Sequence, residues 1–346
     1  MVKRVLVTGV TGFIGTVLTE KLLQQGYLVR GMGRRSEPVL PPGGVTTAEK
    51  TWQHPNFEYH QGDVTDLESV RRGVAGCHAV IHLAAYANNW CQEKRVFEWI
   101  NIDGTRNVLR AVKEHPVEKV VCTSSIVTLG PTPKGVVGDE SMPRQSERCF
   151  TDYERTKLQS EREILEWVEK EQIPAVIVNP TRVYGPGQLS ESNSVVVVMD
   201  MYERGIFPFL VNFGKNLGNY VLVEDVAQGL ILAMEQGRVG ERYILGSEEN
   251  ITLRDLYEYV DTFRGRQGFK FPLWKFWPMV VAYTLWGFAE VTGVYPPITP
   301  GWVKTFTTDG AFSCGKAQRE LGYRPTPVRE GLRKTYDWIQ ILRKKG

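Results

Sequence analysis

Cysteine is scarce in this chain: 346 residues hold five, with no Cys-x-x-Cys pair. An odd number of widely separated thiols (Cys77, Cys91, Cys122, Cys149, Cys314) excludes a disulfide framework and points to reduced cysteines in a cytosolic setting. Histidine is equally sparse, at five. His78 and His82 are four apart, but they fall on a strand and no Glu lies between them in a His-Glu-x-x-His pattern, so no metal site is read. Neither sign of charge dominates: 42 Lys and Arg stand against 39 Asp and Glu, a formal net charge of +3. Scattered and nearly balanced, these charges leave no nucleic-acid footprint. No stretch reaches the roughly 18 apolar residues of a membrane span. Lys3 and Arg4 before an apolar run faintly mimic a signal peptide, but the run is too short for one. Internal repeats and low-complexity segments are missing. With 42% hydrophobic residues the chain can bury a sizeable core, and its length suits one large domain or two small ones.

What is there begins at once. Arg4–Thr8 is a short apolar, β-branched run with the pattern of a buried strand. It runs into Gly9-Val10-Thr11-Gly12-Phe13-Ile14-Gly15, and a helical pattern follows through Leu18, Leu22 and Leu23. Strand, glycine loop and helix open a dinucleotide-binding βαβ unit. Gly9 lets the chain turn sharply, Gly12 lets backbone approach a pyrophosphate, and Gly15 lets the helix pack close to the sheet. The free N–H groups of the helix's first turn then face negative charge.

Further strands follow at 28–32, 57–60, 79–85, 117–123 and 175–179, alternating with helical segments at 94–113 and 152–170. This predicts an α/β chain with a Rossmann-type, doubly wound parallel sheet. After the second strand, where an NAD-binding fold places an acid on the ribose 2′-hydroxyl, the chain has Gly33-Arg34-Arg35 and no acid until Glu37. Two guanidinium groups suit a 2′-phosphate, held by forked hydrogen bonds; a solvated basic turn is the bland alternative. Prolines and glycines make 36–44 a loop. The fourth strand ends in Leu83-Ala84-Ala85, small enough for a flat cofactor to lie against backbone. Regular alternation fades after Gly187. The division expected is a cofactor-binding part over 1–187, rejoined by elements at about 219–245, and a discontinuous, smaller C-terminal substrate-binding portion over 188–346. Within it, Thr252 with Asp255 marks a helix start and Ser313 caps a short helix that stops at Gly322.

Tyr153 and Lys157 lie at i and i+4, on one face of the 152–170 helix. A phenol with its ordinary pKa of about 10 relays protons poorly at neutral pH, and an adjacent ammonium lowers that value. Thr123-Ser124-Ser125 closes the preceding strand.

Glycine loop, strand order and these residues together resemble the short-chain dehydrogenase/reductase superfamily, in its extended branch. The resemblance implies a Ser–Tyr–Lys triad: Ser125 (Ser124 as second choice), Tyr153 and Lys157. It implies that Asp63 bonds the adenine amino group, although a helix cap starting near Asp66 would explain that Asp as well. It also matches Asn101 with Gly104-Thr105. The cofactor set expected is Gly9, Thr11, Gly12, Phe13, Ile14, Gly15, Arg34, Arg35, Asp63, Val64, Leu83, Ala84, Ala85, Asn101, Ser124, Tyr153, Lys157, Pro180 and Val183, with NADP(H) rather than NAD(H).

The C-terminal half resembles dihydroflavonol-reductase-like and 3β-hydroxysteroid-dehydrogenase-like proteins through 240–246, 291–297 and 321–325; bacterial sugar epimerases look similar too. Two departures weigh against a nucleotide sugar. Epimerases and dehydratases usually carry an Asn where Arg182 stands, and Arg-Asp where Gly218-Asn219 stand. The expected activity is therefore NADP(H)-dependent interconversion of a bulky apolar ketone and a secondary alcohol. A sugar-nucleotide epimerase or dehydratase and a non-catalytic dinucleotide sensor are the alternatives. Residues 271–297 are rich in aromatics. Their face formed by Trp277, Val280, Val281, Leu285 and Phe288 suits packing on the core, while Tyr283 and Trp286 lie off that face. A lid over apolar substrate, resting on a membrane surface, is the second expectation for this segment. The partners expected are a small apolar molecule and no nucleic acid, with a homodimer left open, in a cytoplasmic and optionally membrane-associated protein.

Overall fold

The computed structural model describes residues 3–39, 47–189 and 191–345. Its elements run β1 (Arg4–Thr8), α1 (Phe13–Gln24), β2 (Leu28–Gly33), α2 (Thr47–Trp52), β3 (Phe57–Gln61), α3 (Leu67–Val74), β4 (Ala79–His82), α4 (Arg95–Glu98), α5 (Gly104–Glu114), β5 (Lys119–Thr123), α6 (Asp152–Glu171) and β6 (Ala175–Pro180). They continue with β7 (Arg182–Tyr184), α7 (Ser194–Glu203), β8 (Phe209–Val211), β9 (Leu217–Leu222), α8 (Val223–Gln236), β10 (Arg242–Leu245), β11 (Asn250–Thr252), α9 (Leu253–Arg264), β12 (Phe271–Leu273), α10 (Phe276–Thr292), α11 (Pro300–Thr307), α12 (Gly315–Leu321) and α13 (Val328–Lys345). Of the loop expected over 36–44, residues 40–44 lie outside the described residues.

Seven parallel strands form the central sheet in the order β10-β6-β5-β4-β1-β2-β3. The order reverses between β1 and β4, so the crevice at the carboxyl ends of these two strands is the binding place such a sheet creates. The strands are buried on both faces, which explains why β5 and β6 read as continuous apolar runs rather than alternating ones. Of the segment 219–245, α8 packs on α1 and β10 joins the large sheet, whereas β9 sits between β7 and β11 in a three-stranded sheet. A second apolar core gathers under α7, α9 and α13, with Tyr202 stacked on Tyr257 at 3.8 Å.

Several local expectations resolve differently. The 94–113 helix is interrupted by one wide π turn, Trp99–Asp103. Ser313 is not the cap of α12; Cys314 is, and Ser313 Oγ accepts from Gly315 N at 3.1 Å one residue outside. Thr252 and Asp255 do form a reciprocal capping box at α9. In α10 the face expected to pack is not the buried one, while Tyr283 and Trp286, expected off that face, are exposed as well. Ala282 and Ala289 are its buried residues, while Trp277, Val280, Val281 and Phe288 are exposed. α10 lies against α11, with Ala282 sharing the core of Val303 and Phe306; the bulky side chains point outward. None of residues 271–297 lines the cavity described next, so a lid of this segment over the site is not what the structure holds.

Candidate active site

A cavity of about 500 Å³ opens at the crevice between β1 and β4. Its floor is the glycine loop. Gly9 has φ of +71°, and a Cβ there would stand 2.9 Å from Ala84 N, so the turn admits only glycine. Gly15 is as constrained, but by the loop and not the sheet: a Cβ would meet Gly9 O at 2.2 Å. Gly12 is the N-cap of α1 and supplies no side chain to it, so the first-turn amides point unbonded by any cap toward the cavity. This is an anion cradle of the kind that a dinucleotide's pyrophosphate fills.

Thr11, Phe13, Ile14, Arg34, Asp63, Val64, Leu83, Ala84, Ala85, Ser124, Ser125, Tyr153, Lys157, Pro180 and Val183 join those glycines in the lining. Two expected residues do not. Arg35 lies outside, its carbonyl accepting from Tyr59 Oη at 2.9 Å. Asn101 is buried behind the wall. Its Oδ1 accepts from Tyr86 N at 2.8 Å, and its Nδ2 donates to Tyr86 O at 3.2 Å and Thr156 Oγ1 at 3.0 Å. Its carbonyl, in the π turn, accepts from Ser160 Oγ at 2.5 Å and Thr105 Oγ1 at 2.7 Å. Asn101 thus pins Tyr86 at the rim. Arg34 and Arg35 are exposed, and neither forms an ion pair among the described residues. Asp63 is not the helix cap; Asp66 is, accepting from Glu68 N at 3.0 Å. Asp63 Oδ1 takes the Thr65 amide and hydroxyl, each at 2.9 Å.

β5 ends at Thr123 and delivers Ser125 opposite Tyr153, from the first turn of α6. The Ser125 hydroxyl lies within bonding reach of the phenol and pulls its pKa down, but burial is the larger influence and the phenol stands above its ordinary value. Lys157, one turn on, donates from Nζ to Thr123 O at 2.8 Å. Burial lowers its pKa to about 8, against the opposing fields of Cys122 and Glu161. The expectation that this ammonium lowers the Tyr153 pKa is therefore not met here, because the lysine is turned to the backbone. The hydroxyl of Ser124 is buried beside the cavity and has no hydrogen-bond partner among the described residues.

Behind β4, His82 Nδ1 meets Thr8 Oγ1 at 2.8 Å and Nε2 meets Thr105 Oγ1 at 3.2 Å. Thr105 already donates to Asn101 O at 2.7 Å, so His82 Nε2 carries the proton and Nδ1 accepts from Thr8. Burial holds this ring neutral, with a pKa lowered to about 3.

Sequence reasoning missed the far wall. Glu191, Ser194, Val195, Thr305 and Phe306 line it, from α7, α11 and the turn before α7. No local motif marks them; only the packing of the C-terminal portion brings them in. Arg182 had been noted only as a departure. It lines the cavity, donating to Tyr220 Oη at 3.0 Å and Thr305 O at 2.6 Å, with its guanidinium over the Tyr220 ring at 5.2 Å.

A glycine cradle at the switch point of a parallel sheet, with small residues beside it, is the equipment of a nicotinamide-dinucleotide enzyme, and the chain is one. It belongs to the NAD dependent epimerase/dehydratase family, matched over residues 5–246. It is similar to a putative dihydroflavonol 4-reductase of Synechocystis sp., 30% identical over 96% of this chain and 94% of that one. It is similar to a decarboxylating sterol-4-alpha-carboxylate 3-dehydrogenase of Mus musculus, 25% identical over 99% of this chain and 92% of that one. In fold it matches a UDP-glucose 4-epimerase of Thermotoga maritima with a TM-score of 0.77, at 22% identity and with 98% and 99% of the two chains covered.

Proposed function

We propose that this chain is an NADP(H)-dependent oxidoreductase acting between a bulky, mostly apolar ketone and its secondary alcohol. The observation that carries the substrate class is the substrate end of the cavity, where Val183, Val195 and Phe306 stand among Glu191, Ser194 and Thr305, and where the guanidinium of Arg182 is already bonded to Tyr220 and Thr305. The sterol and flavonol substrates in the relatives' names are of the same bulky, ring-built kind. We assign cofactor binding to 1–187 with the returning α8 and β10, and substrate selection mainly to 188–346.

The bound dinucleotide would supply the hydride for the carbonyl carbon in reduction, or take it from the carbinol carbon in oxidation. The chain's residues manage the oxygen and its proton. Tyr153, held above its ordinary value by burial, carries the proton that the reacting oxygen takes in reduction. Ser125 holds the same oxygen. Lys157, beneath them, supplies positive charge and a donor for ribose hydroxyls. Gly9, Gly12 and Gly15 with the α1 amides would hold the pyrophosphate, Arg34 would meet the 2′-phosphate, and Asp63 would meet the adenine. A sugar-nucleotide epimerase would need its diphosphate neutralised, and among the described residues no additional free cation lines the substrate end. The family's enzymatic character also leaves little for a non-catalytic sensor to explain. The test is a panel of ketones and sterols with added NADPH, followed by loss of NADPH absorbance. Turnover with bulky ketones supports the reading; epimerisation of a UDP-sugar with no net NADPH loss overturns it.

A further inference from the structure

Helix α10 turns its apolar side away from the protein. Around the arc opposite Ala282 and Ala289 stand Phe276, Trp277, Val280, Val281, Phe288 and Val291, with Trp277 58%, Phe288 60% and Val291 85% exposed. At 3.6 residues per turn these side chains sweep roughly 140° of the helix, and none is charged. At the same end, Phe269, Phe271 and Trp274 continue the exposed apolar surface. A patch of this extent is far beyond the scattered apolar residues of an ordinary surface. Among the described residues no helix is long and apolar enough to cross a membrane.

The charge around the patch selects what covers it. Between Asp261 and Glu290 the chain has Arg264, Arg266, Lys270 and Lys275 and no acid. Arg264 and Lys270 are held by Asp261. Arg266 and Lys275 are exposed, and Lys275 stands at the N-terminal end of α10. In a two-fold pairing of copies, both basic rims would belong to one interface and repel. An anionic lipid surface meets both demands: apolar depth for the arc and negative headgroups for the rim.

We propose that α10, with β12 before it, docks in the plane of an anionic bilayer, Trp274 and Trp277 lying at the headgroup level. The docked element is tied to the cavity's rim. Glu290 accepts from Trp90 Nε1 at 2.6 Å and Lys94 Nζ at 2.7 Å. The Tyr295 hydroxyl donates to Glu191, whose other oxygen takes Asn89 N at 2.9 Å. Glu191 and Tyr86 line the cavity, so docking sets its mouth beside the lipid phase from which an apolar substrate comes.

The experiment is sedimentation of the full chain with vesicles of phosphatidylcholine alone and of phosphatidylcholine with phosphatidylglycerol. Binding to the anionic vesicles is expected, at least about tenfold above the neutral ones at low salt, from headgroup attraction of the basic rim. The double variant Trp277→Glu/Phe288→Glu should lose that binding, and so should Arg266→Glu/Lys275→Glu. Should a variant unfold, tryptophan quenching of the unaltered chain by lipids brominated near the headgroup gives the same answer: quenching supports docking. No binding to anionic vesicles, variants that bind as well as the parent, no quenching, or a dimer abolished by Trp277→Glu without any vesicle binding each overturn it. Vesicle binding is read without cofactor or substrate, so its failure leaves the oxidoreductase reading standing.

Discussion

The guanidinium of Arg182 fills the space in front of Gly218: a Cβ at 218 would stand 1.9 Å from Nη1. The two departures that stood apart in the sequence are therefore one arrangement. Glycine at 218 gives Arg182 its place over the Tyr220 and Phe306 rings. Gly218→Ala should expel the guanidinium, the end of a flexible side chain, from its bonds to Tyr220 and Thr305, at a stability cost of about 1–3 kcal/mol. The expected kinetic result is a raised KM for bulky ketones with kcat little changed, measured beside a thermal melt. An unaltered KM would show that Arg182 does not shape the substrate end.

Tyr153→Phe removes one hydroxyl from the cavity and nothing from the cofactor cradle. Turnover should drop at least about 100-fold, the usual share of a positioned acid. NADPH binding, followed by fluorescence titration, should remain. Near-parental turnover would remove Tyr153 from the chemistry.

Arg34 lies at the cavity edge after β2, and the proposed preference for NADP(H) assigns it the 2′-phosphate. Arg34→Ala should weaken NADPH binding and leave NADH binding nearly unchanged. Arg35→Ala should do less, because Arg35 stands outside the lining. Equal losses of both cofactors in Arg34→Ala would mean that the arginine does not read the 2′-phosphate.

The pH profile follows Lys157, whose burial sets its pKa to about 8. Below that value the ammonium is present; as pH rises through it the charge is lost. In reduction, kcat/KM should hold on the acid side and fall as pH rises past about 8, and Lys157→Met should erase that inflection. Acid stability follows His82. Its pKa in the fold, about 3, lies below the 6.5 of a free histidine, so the unfolded chain binds the extra proton between those values. Stability from this ring is complete above about 6.5 and is lost as pH falls toward 3. His82→Gln should flatten that part of the pH–melting curve.

Much of this was legible in sequence because it is local. Arg4–Thr8 with its glycines, the alternation through Asn179, and Tyr153 four residues before Lys157 each carry their meaning within a few positions. What was not legible depends on distance or on context. Asn101 acts through Tyr86, and nothing in its neighbours says so. Thr305 and Phe306 reach the cavity only because α11 packs there. Residues 194–203, with four consecutive valines, carry the residue type of a strand yet form α7, since burial among α9 and α13 overrides propensity. In α10 hydrophobicity was read as burial, and the alanines turned out to be the packing side.

The central claim is net hydride transfer to an apolar ketone, and isotope tracing tests it most directly. NADPH deuterated at the transferable position of C4 is supplied with a bulky ketone, and the product is read by mass spectrometry. The account predicts one deuterium on the carbinol carbon and an equivalent of NADP+ formed per alcohol. Label kept in the cofactor, with a UDP-sugar epimerised and no NADPH consumed, would contradict it.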